Sequence, residues 1–234
     1  MIIRLRTVLD DGLYETPLVN ASVALRVKAG NANDTVAGTG ARSVQLTGLN
    51  ELGVEVTEDL ITAGASASAV TVTTWSRLFE VCVKTSGSHA DPDGLVYSHA
   101  ATIIIEDAAA NEWGKIILNG IAHGRSQIGC YTVPSQTADG VNIKEAYISD
   151  YTMGVDSGKV VDFIIWSREG LLTLTAPFEP LMVLREHSGE TGTHPIDVKV
   201  PLGPFPAGTD IGFLVKGTTT PKAIIDFTVI LVKS

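Results

Sequence analysis

Large apolar residues recur at every second position through much of this chain. In Val23-Ala24-Leu25-Arg26-Val27-Lys28, the residues Val23, Leu25 and Val27 share one face while Arg26 and Lys28 share the other. That period of two is the mark of a half-buried strand. The same pattern runs through 42–47, 79–84 and 142–148, each with one apolar and one polar face. Two further runs, Val160 to Trp166 and Ala223 to Val232, are apolar on nearly both faces and so predict central or interface strands. No window holds a 3.6-residue period over three turns. The nearest, Glu51 to Ala63, is weighed against helix by Val54, Val56 and Ile61.

Turn chemistry cuts these runs into short lengths. Asp10-Asp11-Gly12, Gly38-Thr39-Gly40, Asp91-Pro92-Asp93-Gly94, Asp139-Gly140, Asp156-Ser157-Gly158 and Pro206-Ala207-Gly208 all supply residues that favour tight reversals. Many short strands at this spacing predict an all-β fold, an antiparallel β-sandwich of jelly-roll-like kind. The small-residue run Ala63 to Ala69 reads as a loop or a thin edge strand. The polar stretch between Thr85 and His99 is the expected boundary between two β domains, 1–90 and 91–234.

Composition agrees with strands: among 234 residues there are 24 Val, 19 Ile and 24 Thr, residue types that fit a pleated, half-buried surface. With 17 Lys+Arg against 26 Asp+Glu the formal charge is −9, and no basic run exceeds a pair. Nucleic acid is therefore not an expected partner, since phosphate binding needs clustered cations. Charge arrives at Arg4, so no secretory leader is expected, and the longest apolar runs are too short for a membrane span. Cys82 and Cys130 each lie in an apolar, strand-like run and read as buried free thiols rather than a disulfide or zinc framework.

Each motif that hints at chemistry has a plainer explanation. Gly38-Thr39-Gly40-Ala41-Arg42-Ser43 lacks the third glycine of a dinucleotide loop and precedes a strand pattern, leaving no helix N-terminus to hold a phosphate. Asp91-Pro92-Asp93-Gly94 begins like a calcium loop but lacks the closing Glu, and a type I turn accounts for all four residues. His187 and His194 flank Glu190 without a third ligand fixed by spacing, and His89, His99 and His123 are isolated. There is no Gly-x-Ser-x-Gly elbow, and Glu55, Glu58, Asp59, Asp162 and Glu169 read as the solvent side of strands or loops. No enzymatic activity and no cofactor or metal are expected.

The stretch 38–49, followed by Thr73-Thr74-Trp75-Ser76-Arg77-Leu78-Phe79-Glu80-Val81, resembles a group of virion proteins of tailed bacteriophages. The likeness continues at Gly124-Arg125-Ser126-Gln127-Ile128-Gly129-Cys130-Tyr131-Thr132-Val133-Pro134, similar to a Gly-x-Ser-x-x-Ala/Gly-x-Tyr-x-Val-Pro pattern of that group, and at 201–211. The run 63–69 departs from it, where the group carries Gly-x-x-Pro-Val. The resemblance implies a virion component assembled in the bacterial host cytoplasm, foremost a capsid decoration or cement protein, with a head- or tail-fibre component or glycan-binding module as the alternative. It implies a homo-oligomer, a trimer first, seated on the major capsid protein or other virion proteins. Candidate contact residues are Ile2, Ile3, Arg4 and Leu5, in a basic N-terminal strand suited to adding to an acidic partner. Phe178 and Phe205, each set between prolines, are the others, with burial in their own core as the alternative reading.

Overall fold

The computed structural model describes residues 2–9, 22–87, 99–118, 124–126, 128, 130–155, 160–170, 179–187, 193–196, 201–217 and 223–234. Every regular element among them is a strand, and every strand pairing is antiparallel. The all-β expectation holds, and the packing is that of a β-sandwich. The chain divides into two compact units, one formed by Glu15–Gln127 and the other by Met1–Tyr14 together with Ile128–Ser234.

The first unit carries β2 (Val23–Ala29), β3 (Ala41–Asn50), β4 (Glu55–Ile61), β5 (Thr74–Ser86), β6 (Ile103–Asp107) and β7 (Glu112–Ile116), in sheet order β4-β3-β5-β2-β6-β7. The alternation read in β2 is realised: Leu25 and Val27 are fully buried, Lys28 is exposed, and Arg26 lies half-buried with its guanidinium 2.7 Å from Glu106. Strand β5 buries five residues in succession, Trp75 to Phe79, so this part of it is covered on both faces. Strand β3 follows it with bulges, one of them at Thr47/Gly48. A Cβ on Gly48 would sit 2.1 Å from the Arg77 carbonyl oxygen, so this bulge admits only glycine.

β2 pairs with the start of β5 through Val23 and Ala24, and the chain before β5 continues along the same side of β2. Ser68 and Thr71 donate backbone N–H groups to Val27 and Leu25, while their hydroxyls accept from the N–H groups of the same two residues. The small-residue run 63–69 is thus a strap with isolated bridges to β2 and to Thr35, between the two expected forms, a loop and a thin edge strand.

The second unit contains β1 (Ile2–Leu9), β8 (Cys130–Thr132), β9 (Ile143–Val155), β10 (Val160–Arg168), β11 (Glu179–His187), β12 (Thr193–Ile196), β13 (Leu202–Pro206), β14 (Asp210–Gly217) and β15 (Ala223–Lys233). One sheet runs β1-β15-β9-β12 with β13 also on β9, and the other runs β11-β10-β14-β8. The two apolar-on-both-faces runs became β15 and β10, each flanked by a strand on either side, as their patterns require. Between the sheets, the Phe213 and Phe227 rings lie 4.3 Å apart at 42°, and the Tyr151 hydroxyl meets the Met182 sulfur at 3.2 Å.

The division expected after residue 90 is not the one the contacts make. β6 and β7, both beyond residue 91, complete the sheet begun by β2, because Leu25 to Ala29 pair with Ile103 to Asp107. The N-terminal strand belongs instead with the C-terminal one, pairing along its whole length with β15. The polar stretch near residue 90 therefore connects strands of a single sheet.

Candidate functional site

Ile2, Ile3, Arg4 and Leu5 stand in register with Ile230, Val229, Thr228 and Phe227 of the same chain. One side of β1 is thus taken by β15 rather than by a neighbouring molecule. β1 ends its sheet, and no described strand pairs with its other side. Phe205 is 5% exposed and stands opposite Ala146 of β9, so it plugs its own core and is not a free contact residue. Phe178 lies outside the described residues.

The exposed apolar side chains are others. Val36, Leu52, Ile61, Val70 and Val72 in the first unit and Leu181 and Val183 in the second all reach solvent, Val72 to 96%. The position of Val72 is built, not incidental. The Glu58 carboxylate accepts the Val72 N–H at 2.8 Å through one oxygen and the Thr73 N–H at 2.9 Å through the other. On the preceding side, Thr71 is buried, and its hydroxyl donates to the Thr73 carbonyl at 2.7 Å. With Thr71 pinned inward, its neighbours Val70 and Val72 are held outward. Period-two reasoning stopped at the small-residue run and missed them. The available signal was a pair of valines flanking one threonine.

The carboxylates read as solvent-facing divide by role. Glu58 is the clamp just described. Asp59 accepts from Gln45 at 2.9 Å and lies 3.1 Å from the Lys84 ammonium. Burial pushes its carboxyl up, but Gln45 and Lys84 outweigh that and leave it below the ordinary 3.8.

Two buried polar clusters hold the scaffold. Asp34, fully buried, accepts backbone N–H groups from Ala41 at 2.7 Å, Ala100 at 2.8 Å and Ala101 at 3.2 Å, tying the glycine turn before β3 to the start of the β6 region. His99 lies beside it, and burial lowers its imidazole below the ordinary 6.5, against opposing pulls from Asp34 and a backbone hydrogen bond at Ile117. In the second unit, Arg168 donates to Asp210 through Nη2 at 2.6 Å and through Nε at 3.1 Å, and the Thr132 hydroxyl donates to the other Asp210 oxygen. Arg168 and Asp210 are 4% and 0% exposed. Each cluster satisfies a buried charge with fixed donors, the requirement for keeping a carboxylate out of water.

Cys130 is buried, Cys82 is half-buried, and both are free thiols. Burial first, then the Glu80 carboxylate, raises the Cys82 thiol above its ordinary value. That is the opposite of what a nucleophile needs. Among the described residues, no three His, Cys, Asp or Glu side chains are placed to hold a metal ion. The glycine turn at 38–40 leads directly into β3. His194 falls in β12 and His187 at the end of β11, whereas His89, His123 and Asp91 to Gly94 lie outside the described residues. No described helix is long and apolar enough to cross a membrane.

No family model, no curated protein and no solved structure matches this chain.

Proposed function

We propose that this chain is a structural component of a tailed-bacteriophage particle, a decoration or cement protein that binds the shell as a homo-oligomer. The observation that carries the reading is the rigid presentation of apolar side chains in the first unit. Val72, 96% exposed, is fixed by the two-pronged Glu58 clamp on a strap bonded to β2, with Val70 beside it. Backbone already held in place loses little conformational freedom on docking, so the apolar area it carries converts to adhesion efficiently. Repeated over many copies on a shell, such modest contacts sum to strong attachment. The motif resemblance at 38–49, 73–81, 124–134 and 201–211 points to the same class of protein.

A glycan-binding role at a fibre tip is the less favoured reading. It calls for exposed aromatic platforms, and Trp75, Trp113 and Trp166 are all buried. The test is co-sedimentation of the purified protein with heads of its phage, followed by imaging. Saturable binding in many copies on the shell, with heads that resist heat better, is the expected result. Protein that stays in the supernatant at saturating concentration ends the proposal.

A further inference from the structure

Two strands of this chain end their sheets and carry opposite charge. β1 gives one side to β15 and β4 gives one side to β3, and no described strand pairs with the other side of either. β1 holds Arg4 and Arg6 and no acid, whereas β4 holds Glu55, Glu58 and Asp59 and no base. Open edges accept further strands. Like charges oppose pairing β1 with β1 or β4 with β4 across a two-fold axis, and unlike charges favour pairing β1 with β4.

One antiparallel register also matches the faces. With Arg4 set opposite Asp59, Ile3 falls opposite Leu60, Ile2 opposite Ile61 and Arg6 opposite Thr57. Leu60 is buried, while Thr57, Asp59 and Ile61 are exposed. In β1 the register sets Ile3 and Leu5 opposite Val229 and Phe227, and Arg4 and Arg6 in the alternate row opposite Thr228 and Asp226. Leu5 then falls opposite Glu58, whose carboxylate is already occupied by the Val72 and Thr73 N–H groups. A slip of one residue sets Ile3 against Asp59 or Arg4 against Leu60, crossing apolar with charged positions. Ile61, 56% exposed, gains an apolar partner in this register.

We propose that β1 of one copy adds to the β4 edge of the next, a head-to-tail contact between copies of this chain. Because it joins two different surfaces, the contact leaves each copy with a further β1 or β4 to offer and can pass from copy to copy. The inference rests on the reading of the chain as a self-assembling particle component.

The test is a charge swap read by the mass of the protein in solution. Arg4→Asp alone and Asp59→Arg alone are each expected to weaken self-association by at least about tenfold, and the double variant to recover it. Asp59→Arg also removes the Lys84 pair, so recovery in the double variant is the deciding reading. In a second measurement, Ile2→Cys and Ile61→Cys proteins are mixed and oxidised, and a cross-linked band containing both is expected. Single variants that keep the wild-type mass, or a mixture that yields no such band, overturn the contact while leaving shell binding intact. Charge-swap recovery in a protein that ignores phage heads supports the contact and removes the shell-decoration reading instead.

Discussion

Phe205 stands between two prolines, a setting that suits an exposed contact, yet only 5% of it meets solvent. Phe205→Ala is therefore expected to cost about 3–5 kcal/mol in denaturant unfolding, as a core truncation does. Asp210 illustrates a buried charge kept by its partners. Replacing it with Ala leaves Arg168 buried without its carboxylate, and a loss of about 3–5 kcal/mol is expected by the same measurement. Gly212 is fixed by its neighbour: a Cβ there would lie 2.0 Å from the Trp166 ring. Gly212→Ala should cost about 1–3 kcal/mol, partly recovered when Trp166→Leu makes room. His99 gives the protein a pH dependence of known sign. Its folded pKa is depressed by burial, so the unfolded chain takes up the proton first. Stability from this group is complete above pH 6.5, falls as pH drops from there toward the depressed folded value, and then levels off. A denaturation series should show that slope in the wild type and lose it in His99→Gln. The Asp107 carboxyl acts in the same direction only below 3.8: burial raises it, but hydrogen bonds from Asn111 and Ala109 outweigh burial.

At the scale of elements, strand type was legible and strand detail was not. The alternation in 23–28 gave β2 its inside and outside correctly, and the doubly apolar runs at 160–166 and 223–232 lie within flanked strands. The bulges of β3 against β5 were invisible, because each depends on which residue of a distant strand stands opposite. Of the strap at 63–73, the alternation pattern reached only 63–69, read as a loop or a thin edge strand of small residues. Its order comes from Ser68 and Thr71 bonding to β2 and from Glu58 reaching across from β4, contacts that no local pattern contains. Glu58→Gln should cost about 1–2 kcal/mol of stability, the worth of weakened charge-assisted hydrogen bonds. Val72→Ser should leave stability within about 0.5 kcal/mol, as an exposed substitution does. Both variants should bind phage heads less well, so comparing unfolding with co-sedimentation separates the clamp from the side chain it presents.

At the scale of the whole molecule, the chain closes one unit with its two ends, β1 lying antiparallel to β15 over eight residues of register. Deleting residues 1–9 should lower the melting of the unit containing Ile128–Ser234 and leave the transition of Glu15–Gln127 in place, which calorimetry can resolve. The sequence by itself determined that the chain is all-β, where most strands run, and which of their positions face a core. Those properties follow from backbone geometry within a few residues, which alternation and turn chemistry record directly. Only the tertiary structure decided that β6 and β7 join the sheet of β2, that β1 lies on β15, and that Phe205 is inside while Val72 is out. Strand pairing is made by backbone N–H and C=O groups that every strand offers alike, so the choice of neighbour depends on how the whole set of apolar faces is covered at once.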